Sequence, residues 1–407
     1  MGRFPPVGRD DWVRAPAGLE PVAGGSVTAA PGFRAAGVAC GLKASGALDL
    51  GILAADRPVA SALVDTRNAL PSAPVLRNRD LDRARIRAVV VNAGSANAAT
   101  GSPGLDDADA MARRAAARLG MLPEEVAVSS TGTIGDRIDL ERVGPGIDAA
   151  AAALSPDGGP DFGQAICTTD RAPKGGAFRL ALARGEVLIG AAAKGAGMIS
   201  PAMATMLAYI TVGAPVAPDD LQAMAVAASA GSFNRISVDG QMSPSDTLIV
   251  MAGGEGPALA GADRDRLAAA LGAVCRWLAI QIVRDGEGAT HAVRVVVDGA
   301  RDVDEAEWVA RAVGDSPLVK TAIFGRDPNW GRVTQAVGAA LVGAPGPVAE
   351  PAITVDGVPA ASPQAPAVLA REEYDLGIGL GRGEARAELW ACDLGHEYVR
   401  INAEYRT

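Results

Sequence analysis

The strongest constraint in this sequence is a missing charge. From Gly195 to Pro218 there is no Asp, Glu, Lys or Arg, a stretch long enough to cross a bilayer. It also contains Gly195, Gly197, Pro201, Gly213, Pro215 and Pro218, with a middle of Ala, Thr and Ser. Those residues would break a membrane helix repeatedly. The segment therefore reads as loop and strand buried inside protein.

The rest of the chain supplies material to bury it. Short β-branched runs at 86–92, 126–130, 206–212, 293–297 and 387–392 read as strands. Helices alternate with them. Asp106 is placed to cap a helix through Leu119 that stops at Gly120, and Pro218-Asp219 opens another that ends at Gly231. A longer helix from about Asp265 sets Leu267, Leu271, Val274, Leu278 and Ile282 on one stripe. The first 26 residues or so, with Pro5, Pro6, Pro16 and Pro21, read as an irregular peripheral arm. Strands alternating with helices over this length predict a layered α/β (α+β) architecture.

Composition removes several chemistries. With 38 Lys+Arg against 47 Asp+Glu the net charge is -9, and no basic run offers phosphates a landing face, so no nucleic-acid partner is expected. Two histidines, His291 and His396, rule out a His-rich zinc site, and no metal is expected. Cys40, Cys167, Cys275 and Cys392 are far apart and form no C-x-x-C pair. The opening MGRFPPVGRDDWVR lacks a signal-peptide core. These features predict a soluble, reduced, cytoplasmic protein with no membrane partner. Gly377-Ile-Gly379 lacks the third glycine of a dinucleotide fingerprint, Gly185 to Gly190 is followed by Ala191 where a P-loop needs lysine, and no G-x-S-x-G elbow occurs. No cofactor has a visible anchor.

What remains is Lys194-Gly-Ala-Gly-Met-Ile-Ser-Pro-Ala-Met-Ala-Thr-Met-Leu207. By residue types alone it reads first as a packed glycine loop between two strands. It also suits self-cleavage. Thr205 brings a hydroxyl to the start of a strand, behind Ala204, whose side chain is too small to shield its own carbonyl. The α-amine released on Thr205 would have a reference pKa of about 7.7 to 8.0 and could serve as its own general base.

That segment resembles the self-cleavage segment of the ornithine N-acetyltransferase (ArgJ) family, whose pattern reads close to KGSGMIxPxMATML. The likeness extends in order through PGFRAAGVACGLKASG from Pro31, VVVNAGSANAATG (89–101), SSTGTIGD (129–136), CTTD (167–170), FNRISVDG (233–240), IVRDGEGAT (282–290), SPLVKTAIFGRDPNWGR (316–332) and YVRINAEYRT (398–407). The resemblance implies cleavage at Ala204-Thr205 into an α chain (1–204) and a β chain (205–407) that stay one folded unit. It further implies a sandwich of sheets between helices, DmpA-like and similar in layout to N-terminal-nucleophile hydrolases, and pairing of two αβ units into an α2β2 assembly.

The resemblance also assigns roles. Thr205 is the nucleophile, and Thr131 with Gly132 forms the oxyanion hole. Thr168 (with Thr169 as the neighbouring choice), Lys194, Thr205, Glu287, Asn402 and Thr407 contact substrate. The implied reaction moves acetyl from N2-acetylornithine to glutamate through an acyl-enzyme, with acetyl-CoA as a second donor and no cofactor. FNRISVDG and SPLVKTAIFGRDPNWGR receive no chemistry, so Asp239, Asn329 and Trp330 are expected to be buried architecture, and both histidines ordinary packed or exposed imidazoles.

Two islands depart from the family pattern. NAGSANAATG replaces NSGNANACTG, and VDGQMSPSDT (238–247) replaces VDGDTSTNDT; outside them, His396 stands in DLGHEYV where an aromatic is more usual. Neither touches Thr205, Thr131, Gly132, Lys194 or Glu287. They leave open another amino-acid acceptor, as in a specialised-metabolism acyltransferase. An amidohydrolase or aminopeptidase with the same nucleophile, and an uncleaved amino-acid-binding protein, are the other readings.

Overall fold

A computed structural model of the chain describes residues 19–200 and 206–404. Three sheets organise it. A six-stranded sheet runs in the order Glu20–Pro21, Lys174–Leu182, Gly185–Lys194, Leu207–Val212, Thr247–Ala252, Ala60–Asp65. A four-stranded sheet runs Phe33–Val38, Leu50–Ala55, Ala88–Ser95, Val126–Thr133. A second six-stranded sheet, centred on Ala292–Ala300 between Ala385–Cys392 and Glu373–Gly379, carries its own helices.

The charge-free stretch explains the layering. Leu207–Val212, sequence LAYITV, is buried along its whole length, so both faces of its pleat need cover. Leu207 and Tyr209 pack with Phe33, Leu53 and Val91 of the four-stranded sheet and with Phe162, whose ring meets Tyr209 edge-on at 5.2 Å. The alternate residues Ala208, Ile210 and Val212 pack with Leu221, Leu271 and Leu278 of the covering helices. In the four-stranded sheet Val89 and Val91 face inward, and Val90 and Val128 face Met111 and Ile147 of Gly101–Leu119 and Leu140–Ala152. The result is two facing sheets between helices, the expected layered sandwich. Each fully buried Leu, Ile or Val contributes roughly 1.5–3 kcal/mol to it.

The expected helices form, two of them starting earlier than expected. Pro218–Ala230 begins at its proline, and Gly101–Leu119 ends on Gly120 in a left-handed conformation, φ 64°. That helix starts before Asp106 because Pro103 in the first turn has no intrahelical donor to lose, which leaves Asp107 inside, paired with Arg137 at 2.6 Å. The long helix spans Gly261–Arg284 and is apolar enough to cross a membrane by length and composition. All five residues of its predicted stripe are buried in the core. The arm reading fails from Leu19 onward: Glu20 and Pro21 pair with Arg179 and Phe178, and Leu19 is buried.

Residues on both sides of position 204 interleave in one sheet. Leu207–Val212 lies between Gly185–Lys194 and Thr247–Ala252, and the latter pairs with Ala60–Asp65. A backbone cut in 201–205 would leave this sheet stitched together.

Candidate active site

The two facing sheets present strand ends to one another. Lys194, the last residue of its strand, is level with Leu207, the first of the next, and Leu207 is level with Thr247. Opposite them, Thr131 and Gly132 close the strand Val126–Thr133. Lys194 Nζ donates to Thr131 Oγ1 at 3.0 Å and ties the two ends together. Accepting that bond leaves the Thr131 hydroxyl hydrogen free to donate elsewhere. Gly132 has φ 126°, and a Cβ there would overlap the Gly94 carbonyl on the paired strand; only glycine fits.

A cavity of about 410 Å³ opens at this junction, and Thr131, Gly132, Thr168, Lys194, Glu287 and Asn402 all line it. Thr169 lies on the same wall. Six predicted residues from five separate islands thus converge on one space. Ala204, Thr205 and Thr407 lie outside the described residues. The described chain resumes at Met206, at the foot of the strand beside Lys194.

The electrostatics are those of a dry site. Lys194 is wholly buried, and loss of water pulls its ammonium below the ordinary lysine range, although Asp170 pulls the other way. Asp170 is the hub of a second cluster. It accepts Lys174 Nζ at 2.6 Å, Gly195 N–H at 2.7 Å and Thr168 N–H at 3.0 Å. Burial opposes its ionisation, but Lys174 and Lys194 outweigh burial and hold it down to about 2. Lys174 also reaches Asp285 at 2.5 Å. This cluster fixes both the Thr168 loop and the glycine turn after Lys194.

Glu287 sits in the turn that follows Gly261–Arg284. Its N–H donates to Ala196 O at 2.8 Å, and its carboxylate accepts Asn402 Nδ2 at 2.7 Å. Gly197 is what lets it in, since a Cβ there would collide with the Glu287 carboxylate. The C-terminal helix His396–Glu404 delivers Asn402, and Tyr398 of the same helix donates to Asp239 at 3.2 Å.

Asp239 was expected to be plain architecture. It is half-buried, with its carboxyl pushed up by loss of water, and it accepts Met198 N–H at 2.7 Å and Ile199 N–H at 2.9 Å. It also lines the cavity. It therefore braces the loop where Met198 adopts φ 54°. Asn329 is half-buried and caps the helix Trp330–Ala340, and Trp330 is exposed; neither is the buried residue expected, because a helix start at the surface needs a cap rather than a core contact.

One histidine is packed and the other exposed. His396 meets the Phe324 ring edge-on at 5.6 Å. His291 is buried beside Asp393, but Oγ1 of the exposed Thr290 lies 2.7 Å from Nδ1, the same nitrogen that faces Asp393 at 3.3 Å. The imidazole does not stand between hydroxyl and carboxylate as a triad requires. Among the described residues, no three His, Cys, Asp or Glu side chains are grouped to hold a metal ion.

Asp170, Lys174 and Asp246 are charged residues of this region with buried side chains to which motif reading gave no role, and Asp239 received only an architectural one. Their signal was available as charge inside otherwise small or apolar text. Asp246, for instance, heads the run TLIVMA.

The ArgJ family model matches residues 34–407. The chain belongs to the ArgJ family. Arginine biosynthesis bifunctional protein ArgJ of Thermosynechococcus vestitus is 44% identical over 94% of this chain and 98% of its own length. The protein of the same name from Symbiobacterium thermophilum is 45% identical over 96% of this chain and all of its own. Among solved structures, ornithine acetyltransferase from Mycobacterium tuberculosis complexed with ornithine is 38% identical, covering 46% of this chain and all of that one, with a TM-score of 0.43. The ArgJ match includes both islands that depart from the family pattern.

Proposed function

We propose that this chain is a self-processing acetyltransferase of arginine biosynthesis that moves an acetyl group from N2-acetylornithine to glutamate. Family membership and the names of its relatives support the reaction class. The observation that carries the site is the convergence of Lys194, Thr131, Gly132 and Glu287 on one cavity at the foot of the strand that follows Thr205.

In processing, Thr205 Oγ attacks the Ala204 carbonyl carbon. The C–N bond breaks, the nitrogen takes the proton, and water then hydrolyses the resulting ester. The β chain now begins with Thr205, whose α-amine is the base. In turnover the same hydroxyl attacks the acetyl carbonyl and the amine passes the hydroxyl proton to the departing ornithine nitrogen. The amine of glutamate then attacks the acetyl ester on Thr205; the ester C–O bond breaks, the glutamate nitrogen gives up a proton to the Thr205 oxygen through the α-amine, and N-acetylglutamate leaves.

The Thr131 hydroxyl and the Gly132 backbone face the developing oxyanion. One such donor is worth about 2.7 to 4 kcal/mol at the transition state. Lys194 and Glu287 complement the carboxylate and ammonium of the amino acid. The two chains remain together, and two αβ units form the α2β2 assembly. Acetyl-CoA is the alternative donor, and no bound cofactor enters the cycle.

The test uses intact mass and product release. Purified wild-type protein should give two fragments whose masses sum to that of the 41.0 kDa chain plus one water. Ornithine release from N2-acetylornithine should rise with added glutamate. A single uncleaved species sinks self-processing, and release indifferent to glutamate would make the enzyme a hydrolase.

A further inference from the structure

Asn92 lies on an inner strand of the four-stranded sheet, and its side-chain amide is wholly buried. An amide taken out of water is costly unless its N–H and C=O groups are bonded. Asn92 Oδ1 accepts Ser95 N–H at 3.1 Å and Gly94 N–H at 3.3 Å, both on its own strand. Asn92 Nδ2 donates to Ser130 Oγ at 2.6 Å on the neighbouring strand. Backbone N–H groups can only donate, so these partners fix which end of the amide is oxygen.

The amide ties the two strands together one step before the residues that face the cavity. Asn92 is level with Ser130, Ala93 with Thr131 and Gly94 with Gly132. Successive side chains on a strand point to opposite faces. Ala88, Val90, Val126 and Val128 pack against the covering helices, and Asn92 and Ser130 continue that series. Thr131 continues the inward series of Ala127 and meets Lys194. Asn92 and Ser130 therefore act from behind the sheet, whereas Thr131 and Gly132 line the cavity in front of it.

The Gly94 peptide is confined on both sides. A Cβ on Gly132 would overlap its carbonyl, and Thr133 Oγ1 donates to the same oxygen at 3.3 Å. A Cβ on Gly94 itself would collide with Leu42. With so little clearance, the point at which Asn92 holds the Gly94 peptide sets where the Gly132 backbone sits. The bond to Ser130 does the same for the residue that follows it, Thr131.

The structure assigns Asn92 as a positioning residue for the proposed oxyanion hole: its amide, on the helix-facing side of the sheet, holds the Gly94 and Ser130 positions that place Gly132 and Thr131. Donors aimed at a developing oxyanion are effective because they are already in place when the charge forms. This inference rests on the reading of Thr131 and Gly132 as that oxyanion hole and adds to it a residue that makes no contact with substrate.

Asn92→Ala removes the bonds to both strands. We expect kcat for ornithine release to fall about 30-fold, less than the 100-fold or more that follows outright loss of a donor, with KM within about threefold of wild type. Thr131→Ala should lose about 100-fold in kcat. In the double variant the loss should be at least about fivefold smaller than the product of the two single losses, because groups that serve one site are not additive. A merely structural Asn92 gives the full product. That product, wild-type kcat in Asn92→Ala, or a loss carried by KM alone overturns the inference.

If Asn92→Ala does not fold, Ser130→Ala decides, since it removes only the hydroxyl that Asn92 Nδ2 meets. Its kcat should fall about 10-fold at unchanged KM, again less than multiplicatively with Thr131→Ala. Wild-type kcat or a multiplicative loss overturns the inference. Thr131→Ala with wild-type kcat instead sinks the oxyanion-hole reading itself, and the two failures are distinguishable.

Discussion

Lys194 Nζ and Thr131 Oγ1 are joined by a 3.0 Å hydrogen bond that spans the ends of two facing sheets, with a fully buried ammonium on one side and a neutral hydroxyl on the other. Among the described residues no carboxylate lies within ion-pair distance of Lys194, so the site keeps a desolvated charge for what enters the cavity. Replacing it by an apolar residue of similar length should therefore cost function and spare stability. For Lys194→Met we expect kcat/KM to fall at least about 100-fold, and the melting temperature to hold or rise, since burial opposes the charged form. Thermal scans beside steady-state kinetics check this, and a large loss of melting temperature would show that Lys194 is structural.

Gly197 gives a cleaner separation of binding from folding. Its φ is not in the left-handed region, so alanine is acceptable to the backbone, but the new Cβ meets the Glu287 carboxylate. Gly197→Ala should displace Glu287 and raise KM for N2-acetylornithine about 10-fold or more, the scale of one lost charge-assisted contact. The melting temperature should shift by only a few degrees. An unchanged KM would remove Glu287 from substrate contact.

How much of this was legible beforehand follows from where each residue's partners lie. The helix Gly261–Arg284 and the strand Leu207–Val212 were readable because their signals are local: a stripe at helical spacing, and a charge-free run. Six of the site residues were placed by motif resemblance, and the fold gathers them at one cavity. Asp239 was read only as architecture and Asp246 was passed over because the partners of both are backbone amides, at Met198 and Met206, supplied from elsewhere in the chain, whereas Asp170 has a charged partner close by in Lys174 that went unread. A carboxylate whose partner is an amide leaves no paired residue type in the sequence to notice. Trp330 was misplaced for a related reason: a large aromatic suggests a core, yet it opens a surface helix.

Asp170 predicts an acid sensitivity. Its folded pKa, about 2, lies below the unfolded carboxylate value of about 3.9. Below both values the protonated form removes the advantage, and above both the ionised form supplies it. The stability it contributes is thus present above about pH 4 and lost as pH falls towards 2, to the extent of about 2 kcal/mol. Urea midpoints taken from pH 5 to pH 2 should fall less steeply for Asp170→Asn than for wild type. The variant should start lower, because Lys174 loses one of its two buried partners. Parallel slopes would contradict this account.

Both islands that depart from the family pattern reach the cavity. Of the positions that differ, Ala99 comes from the first, and Gln241, Met242, Pro244 and Ser245 from the second. The atoms that differ from the usual pattern thus lie on the cavity wall, while Lys194, Thr131 and Gly132 keep theirs. If this wall selects the acceptor, restoring Asp-Thr-Ser-Thr-Asn at 241–245 should change the second half-reaction and not the first. We expect kcat/KM for glutamate, relative to other amino-acid acceptors, to rise about 10-fold, equivalent to about 1.4 kcal/mol of discrimination. The rate of ornithine release in a single turnover should stay within about twofold of wild type. Both are measurable on one preparation, by quenched-flow release of ornithine and by an acceptor competition assay. A change in the first half-reaction alone would place these residues around the donor instead, and no change in either would make the substitutions neutral to specificity.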